Sequence, residues 1–321
     1  MSFLAVDGKI LDNSNHVSHN PFLAASKGPF GAHYSPTGEV LGKGSYASVA
    51  TYRHRHTLKD FAVKVVNITS KTRQDQARKE IKICLQHRDC ENILRLEEFF
   101  EEEGMLYLVF EKIDGGDLFE VLSSRGHLTE RSAARVVKGV ATALKDLHSK
   151  GIAHRDIKPE NVLCLLKNFS EEPNHVKLCD FNLSNDVSEL RAVVGSTDFM
   201  PPEIVRNRAL QPKEPYTKNC DLWSLGVVLF EMLFGYLPFL MFCGGGGVCE
   251  RGVTDPVDCS DCRDQTRCAI KKGKYSFPEN AKFLVSDSAI DLVKRLLVVN
   301  SSARLSAEGI LQHPFVSCSE V

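Results

Sequence analysis

The chain has 321 residues, 43% of them hydrophobic and 25% charged, with a formal net charge of −1. That balance suits a soluble globular protein with a sizeable core, and it excludes a chain drawn to nucleic acid or anionic lipid by overall charge. The apolar stretch 3–6 stops at Asp7, too short for a secretory core, and the apolar stretch 223–242 is broken by Glu231, Gly235 and Pro238 before it could span a bilayer. A buried helix followed by a loop is expected there, with no membrane or direct nucleic-acid partner. The expected compartment is the cytoplasm or the nucleus.

In chain order, residues 1–35 are polar and without a lasting period, which predicts a flexible N-terminal arm. Strand-like runs follow at 38–41, 47–53, 61–67, 93–100 and 105–111, with a charged helical stretch at 70–87 between the third and fourth. They form a small β-rich lobe, 36–111. A connector lies near 111–115, and helical patterns dominate from 116 to 317. The stretch 129–150 carries Ala133, Val136, Val137, Val140, Leu144 and Leu147 at helical spacing, a buried face. Further helices are predicted at 218–233, 288–298 and 307–312, and short strands at 162–165 and 176–179. The fold class is therefore α+β, in two lobes.

Four stretches carry chemistry. Leu41, Gly42, Lys43, Gly44, Ser45, Tyr46, Ala47, Ser48 and Val49 make a glycine-bearing turn between two strands, where backbone can approach a phosphate closely. Lys64 is the one cation on the apolar run Phe61-Ala62-Val63-Lys64, and Glu80 on the next helix can position it. The strongest pattern is His154-Arg155-Asp156-Ile157-Lys158-Pro159-Glu160-Asn161: a carboxylate able to accept a hydroxyl proton, five residues before an amide able to bind Mg²⁺. Asp180, in Asp180-Phe181-Asn182 after the strand 176–179, can chelate a metal between phosphates.

Together these motifs resemble the protein kinase family over residues 38–316, and so imply ATP and Mg²⁺ as cofactors. The resemblance implies that Lys64 anchors phosphates, that Asn161 and Asp180 hold Mg²⁺, that Asp156 is the base and that Lys158 neutralises the γ-phosphate. Glu111 and Ile113 become the adenine-binding hinge behind Phe110. Met200-Pro201-Pro202-Glu203 is similar to the family's Ala-Pro-Glu segment, so Glu203 should pair with Arg304, and Asp221 should hold the catalytic loop. Lys158 and Ser196 resemble serine/threonine kinases, which implies a protein substrate with a Ser or Thr acceptor. The rival function is a pseudokinase that binds nucleotide without turnover.

A narrower resemblance, to the MAP-kinase-interacting kinases, rests on Ile152-Ala153-His154-Arg155-Asp156, Leu106-Tyr107-Leu108-Val109-Phe110-Glu111-Lys112 and Gly273-Lys274-Tyr275-Ser276-Phe277-Pro278. It implies translation regulation, with the cap-binding initiation factor 4E as substrate. Five of the eleven cysteines fall in the insert 241–268. With reduced thiols expected, Cys243, Cys249, Cys259 and Cys262 are a candidate structural Zn²⁺ set, a reading the resemblance strengthens. Asn182 replaces the usual glycine, tolerates left-handed backbone less freely than glycine does, and is expected to leave the segment partly retracted. Arg155 needs an anion to settle it, with Ser188, Ser196 and Thr197 as hydroxyl candidates and Asp186 or Glu189 as constitutive substitutes. No Ser-Pro or Thr-Pro pair lies between Asp180 and Glu203, so the upstream kinase is left open.

Overall fold

The computed structural model describes residues 9–11, 17–19, 28–44, 47–165, 173, 175–241, 259–279 and 281–318. They divide into two compact units, one of Met1–Arg88 with Leu94–Ile113, the other of Asp89–Ile93 with Asp114–Val321.

The first unit holds a short antiparallel pair, β1 (Lys9–Leu11) and β2 (Val17–His19), then α1 (Phe30–His33), β3 (Tyr34–Lys43), β4 (Ala47–His54), β5 (Asp60–Asn67), α2 (Lys71–Gln86), β6 (Leu96–Glu102) and β7 (Met105–Glu111). The last five strands form one antiparallel sheet in the order β3-β4-β5-β7-β6. The β6–β7 hairpin closes on two residues with positive φ, Glu103 at 47° and Gly104 at 77°, the conformation whose twist suits a two-residue hairpin. In β5, Val63 faces a core of Phe30, Tyr34, Phe100 and Val109. Lys64 points to the other side of the pleat, opposite Val49 on one neighbour and Leu108 on the other.

The reading of 1–35 as a loose arm is corrected for its last residues only. Residues 28–35 are tied down: Phe30 stacks on Tyr107 with ring centroids 4.2 Å apart and on Tyr34 at 5.2 Å. The Phe30 N–H donates to the Glu102 carboxylate and the Tyr34 hydroxyl to that of Glu98. Burial, then the Glu98 carboxylate, hold the Tyr34 phenol well above its ordinary range.

The second unit is mainly helical: α3 (Leu118–Arg125), α4 (Glu130–Ser149), α5 (Pro202–Asn207), α6 (Cys220–Phe234), α7 (Ser260–Lys272), α8 (Ala281–Leu284), α9 (Asp287–Leu296), α10 (Ala307–Gln312) and α11 (Pro314–Ser317). Two small antiparallel pairs lie among them: β8 (Ile152–Ala153) with β11 (Asn185–Asp186), and β9 (Val162–Cys164) with β10 (Val176–Leu178). Thr129 accepts the Ser132 N–H and caps α4, a bond worth about 1 kcal/mol to a helix. Helix α6 is buried at every position from 220 to 230, so it runs through the interior of the unit, with Trp223 stacked on Phe239 at 5.2 Å. Among the described residues no helix is long and apolar enough to cross a membrane. Helix α7, which the sequence reading did not place, begins inside the insert and covers 260–272, with Cys262, Thr266, Ala269 and Ile270 buried along one side.

Candidate active site

In the first unit, β3 and β4 carry the glycine turn. The register Gly42↔Val49 and Lys43↔Ser48 runs to its base, where the Gly44 N–H donates to Ala47 O at 2.9 Å. Ser45 and Tyr46 lie outside the described residues. A Cβ at Gly42 would meet nothing within 4 Å, and one at Gly44 only Ala47 O at 3.5 Å. Packing therefore does not demand glycine at either place, whereas close approach of a ligand to the backbone does. Lys64 Nζ lies 2.7 and 3.0 Å from the two carboxylate oxygens of Glu80. That pair is largely buried, with side chains 15% and 4% exposed, so each charge depends on the other. Phe110 is buried. Glu111 is tied into the sheet edge, its N–H donating to Arg95 O and its carboxylate accepting the Arg95 N–H. Ile113, past the strand end, has a main-chain N–H that donates to no described group.

The second unit organises its carboxylate around Asp221, at the start of α6. Asp221 is buried, and accepts the main-chain N–H groups of His154 at 2.9 Å and Arg155 at 2.8 Å and His148 Nε2 at 2.8 Å. Burial pushes its pKa up, but the His148 hydrogen bond and charge, with the backbone donors, outweigh it and hold the group below the usual range. This anchoring keeps Arg155 at φ 71°, a left-handed conformation that a non-glycine residue adopts only when its surroundings impose it. His154 Nδ1 accepts the Asp156 N–H and its Nε2 donates to Cys179 O at 3.0 Å. Its ring meets Phe181 edge-on at 5.2 Å.

Asp156 is thereby presented with both oxygens engaged. Oδ1 accepts the Ser196 N–H at 3.0 Å and the Ser196 hydroxyl at 3.1 Å. Oδ2 lies 3.1 Å from Asn161 Nδ2 and 3.1 Å from Lys158 Nζ, which also donates to Ser196 Oγ at 3.1 Å. Gly195 allows the approach, since at φ 99° a Cβ there would sit 2.5 Å from Arg155 O. Asn161 spends its amide N–H groups on Asp156, and its side-chain oxygen has no hydrogen-bond partner among the described residues. A neutral oxygen left open beside a carboxylate fits a hard cation such as Mg²⁺. Asp180 is the left-handed residue of its segment, at φ 60°.

Asn182, by contrast, has ordinary φ and is exposed in the turn closed by the Ser184 N–H to Phe181 O. One expectation changes here. Arg155 is not settled by any of the anticipated groups. Its Nε donates to Leu183 O at 2.6 Å and its Nη1 to the Tyr216 hydroxyl at 3.2 Å, which in turn donates to Ala192 O at 2.8 Å. Asp186 instead caps Ser188, and Thr197 accepts a hydrogen bond from Arg208. Sequence reasoning missed Tyr216, which lies 61 residues from Arg155 and in no motif. Glu203 and Arg304 do pair, through two contacts of 2.7 Å. The proposed zinc set straddles the boundary of the description: Cys259 and Cys262 are buried at the start of α7, while Cys243 and Cys249 lie outside the described residues. Among the described residues no group of three or more His, Cys, Asp or Glu side chains could hold a metal ion.

The protein kinase domain family matches residues 36–316. This chain belongs to the protein kinase family. It is 41% identical over 300 residues to MAP kinase-interacting serine/threonine-protein kinase 1 of Xenopus tropicalis, a match covering 90% of this chain and 70% of that protein. Kinase 2 of the same group from Xenopus laevis is 40% identical over 303 residues, with 90% and 62% covered. The Caenorhabditis elegans kinase mnk-1 is 37% identical over 314 residues, with 92% and 43% covered. The protein is an ATP-dependent serine/threonine kinase of α+β fold, and its family implies Mg²⁺ and protein substrates.

Proposed function

We propose that Asp156 is the general base that takes the proton from a Ser or Thr hydroxyl as the γ-phosphate of ATP is transferred to it. The observation that carries this reading is the convergence of Ser196, Asn161 and Lys158 on its two oxygens, which fixes the carboxylate as a positioned acceptor must be fixed. Lys158 holds positive charge beside it for the transferred phosphoryl group. Lys64, braced by Glu80, binds the α- and β-phosphates, and the turn 41–49 covers them. The Glu111 carbonyl and the Ile113 N–H hydrogen-bond the adenine. Asn161 and Asp180 would hold Mg²⁺, which would supply positive charge to the phosphates during transfer.

The likeness to the MAP kinase-interacting kinases supports initiation factor 4E as substrate, and with it a role in translation. Cys259 and Cys262, three residues apart and buried, suit one half of a tetrahedral zinc site that Cys243 and Cys249 would complete. Asp156→Asn tests the base: kcat should fall at least about a hundredfold, the usual share of a general base, with ATP affinity retained. Turnover like that of wild type in this variant would reject the assignment.

A further inference from the structure

Strand β3 is an edge of the five-stranded sheet and is held there by β4 alone. Its ladder is broken between Pro36 and Val40, where Gly38 takes φ 92°. A Cβ on Gly38 would meet nothing within 4 Å, so backbone conformation and not packing calls for glycine there. The Thr37 hydroxyl closes the bulge, donating to Thr51 O at 2.9 Å and accepting the Glu39 N–H at 3.3 Å. A bulge re-aims the side chain beside it, and here that side chain is Glu39. Its Oε2 accepts the buried Thr51 hydroxyl at 2.7 Å and lies 3.6 Å from Lys112 Nζ. Lys112 directly follows β7, and β4 and β5 separate β7 from β3 in the sheet. The ion pair therefore reaches over two strands. The Lys112 side chain is only 16% exposed, low for a lysine just past a strand end.

Thr51 stands opposite Ala62, two residues along from Val49 opposite Lys64. The Glu39 carboxylate is thus brought to the face of the sheet that carries Lys64. We propose that Glu39 and Lys112 are positioning residues for ATP: their ion pair draws the strand leading into the glycine turn towards the segment 111–113 and sets the gap that the adenine enters. This rests on the function proposed above, in which Glu111 and Ile113 bind adenine and the turn covers the phosphates. Neither charged side chain touches the nucleotide. Without the pair β3 keeps its bonds to β4 only, and the strand must be ordered each time a nucleotide binds. A half-exposed ion pair can shift such an equilibrium by up to about fivefold.

The test compares wild type with Lys112→Met, Glu39→Gln, the double variant and Lys112→Arg. The readouts are steady-state transfer from Mg-ATP to a degenerate Ser/Thr peptide library, calorimetric binding of ADP, and amide hydrogen exchange without nucleotide. Each of the two charge-removing changes should raise KM for ATP and Kd for ADP about threefold to fivefold, with kcat within about twofold. The double variant should be no worse than either single one, and Lys112→Arg should behave as wild type. Exchange across residues 38–44 should quicken in the charge-removing variants. Constants unmoved in both single variants, losses that add in the double, or unaltered exchange would overturn the proposal and leave the kinase reading standing. A rise confined to Lys112→Met would make Lys112 a direct nucleotide contact and reject the ion pair. Wild type that neither binds ADP nor transfers phosphate would instead defeat the reading of the site on which the proposal rests.

Discussion

Glu231, on the interior helix α6, carries a costly charge when ionised. Its Oε2 is buried without a hydrogen-bond partner among the described residues, and burial, reinforced by Glu160 and Asp198, pushes its carboxyl up from 4.5 to about 7. A folded-state value above the unfolded one means that stability is full below about pH 4.5 and is lost as pH rises through 7. A shift of about 2.5 units at roughly 1.36 kcal/mol each sets an upper bound near 3 kcal/mol, and allowing a unit of error leaves about 2–3 kcal/mol. Glu231→Gln removes the titration but keeps the shape. The amide carries its own cost for unpaired polar atoms, about 1–3 kcal/mol, but that cost does not vary with pH. The quantity to measure is therefore the change with pH in the stability difference between variant and wild type. It should favour the variant by about 2–3 kcal/mol more at pH 8.5 than at pH 4.5, or about 4–12 °C in Tm for a domain of this size. Thermal melts at five or six pH values suffice. Parallel curves for the two proteins would show that Glu231 is not held protonated and would refute the reasoning.

Four further outcomes are expected. Arg304→Met strands Glu203 and the carbonyls of Asn219 and Val298, and should cost about 3–5 kcal/mol, the penalty for breaking a buried pair, in urea unfolding. Tyr216→Phe removes the hydroxyl relay between Arg155 and Ala192 and should lower kcat about tenfold with little change in KM for ATP. Combined with Arg155→Lys its effect should be clearly less than additive, whereas additive losses would detach the two residues. Asn182→Gly, at an exposed position with ordinary φ, should leave kcat/KM for ATP within about twofold. Protein prepared without chelator should carry about one zinc per chain by elemental analysis, and Cys259→Ser should abolish it.

What the sequence disclosed and what it hid follow from the reach of each interaction. Asp156, Lys158 and Asn161 sit within six residues, so the spacing of Asp156 and Asn161 was visible in the sequence, and the family resemblance supplied the role of Lys158. Lys64 and Glu80 were legible because a strand and the next helix have predictable faces. Tyr216 was hidden because its partners are Arg155 and Ala192, joined to it only by tertiary folding. The left-handed turn at Asp180 rather than Asn182 was equally invisible, since it is imposed by the anchored loop around it and not by local preference. Two features had signals that could have been used. Phe30 and Tyr34, four apart in a polar stretch, are the aromatics that fasten residues 28–35 to the sheet. Cys262, Thr266, Ala269 and Ile270 repeat at helical spacing through the cysteine-rich stretch, and that side of α7 is its buried one.

The anchoring of His154 and Arg155 by Asp221 has a consequence for the order in which the protein acquires activity. The two main-chain bonds span 67 and 66 residues, so the catalytic loop gains nothing from local folding and must wait for α6. Long-range closure of this kind is slow compared with helix formation. During refolding, helical circular dichroism should recover first and phosphoryl transfer later, with a lag set by the docking of α6. On the ribosome, a chain halted before Asp221 would carry every residue of the loop 154–161 and still have no means of holding Arg155 in its left-handed conformation.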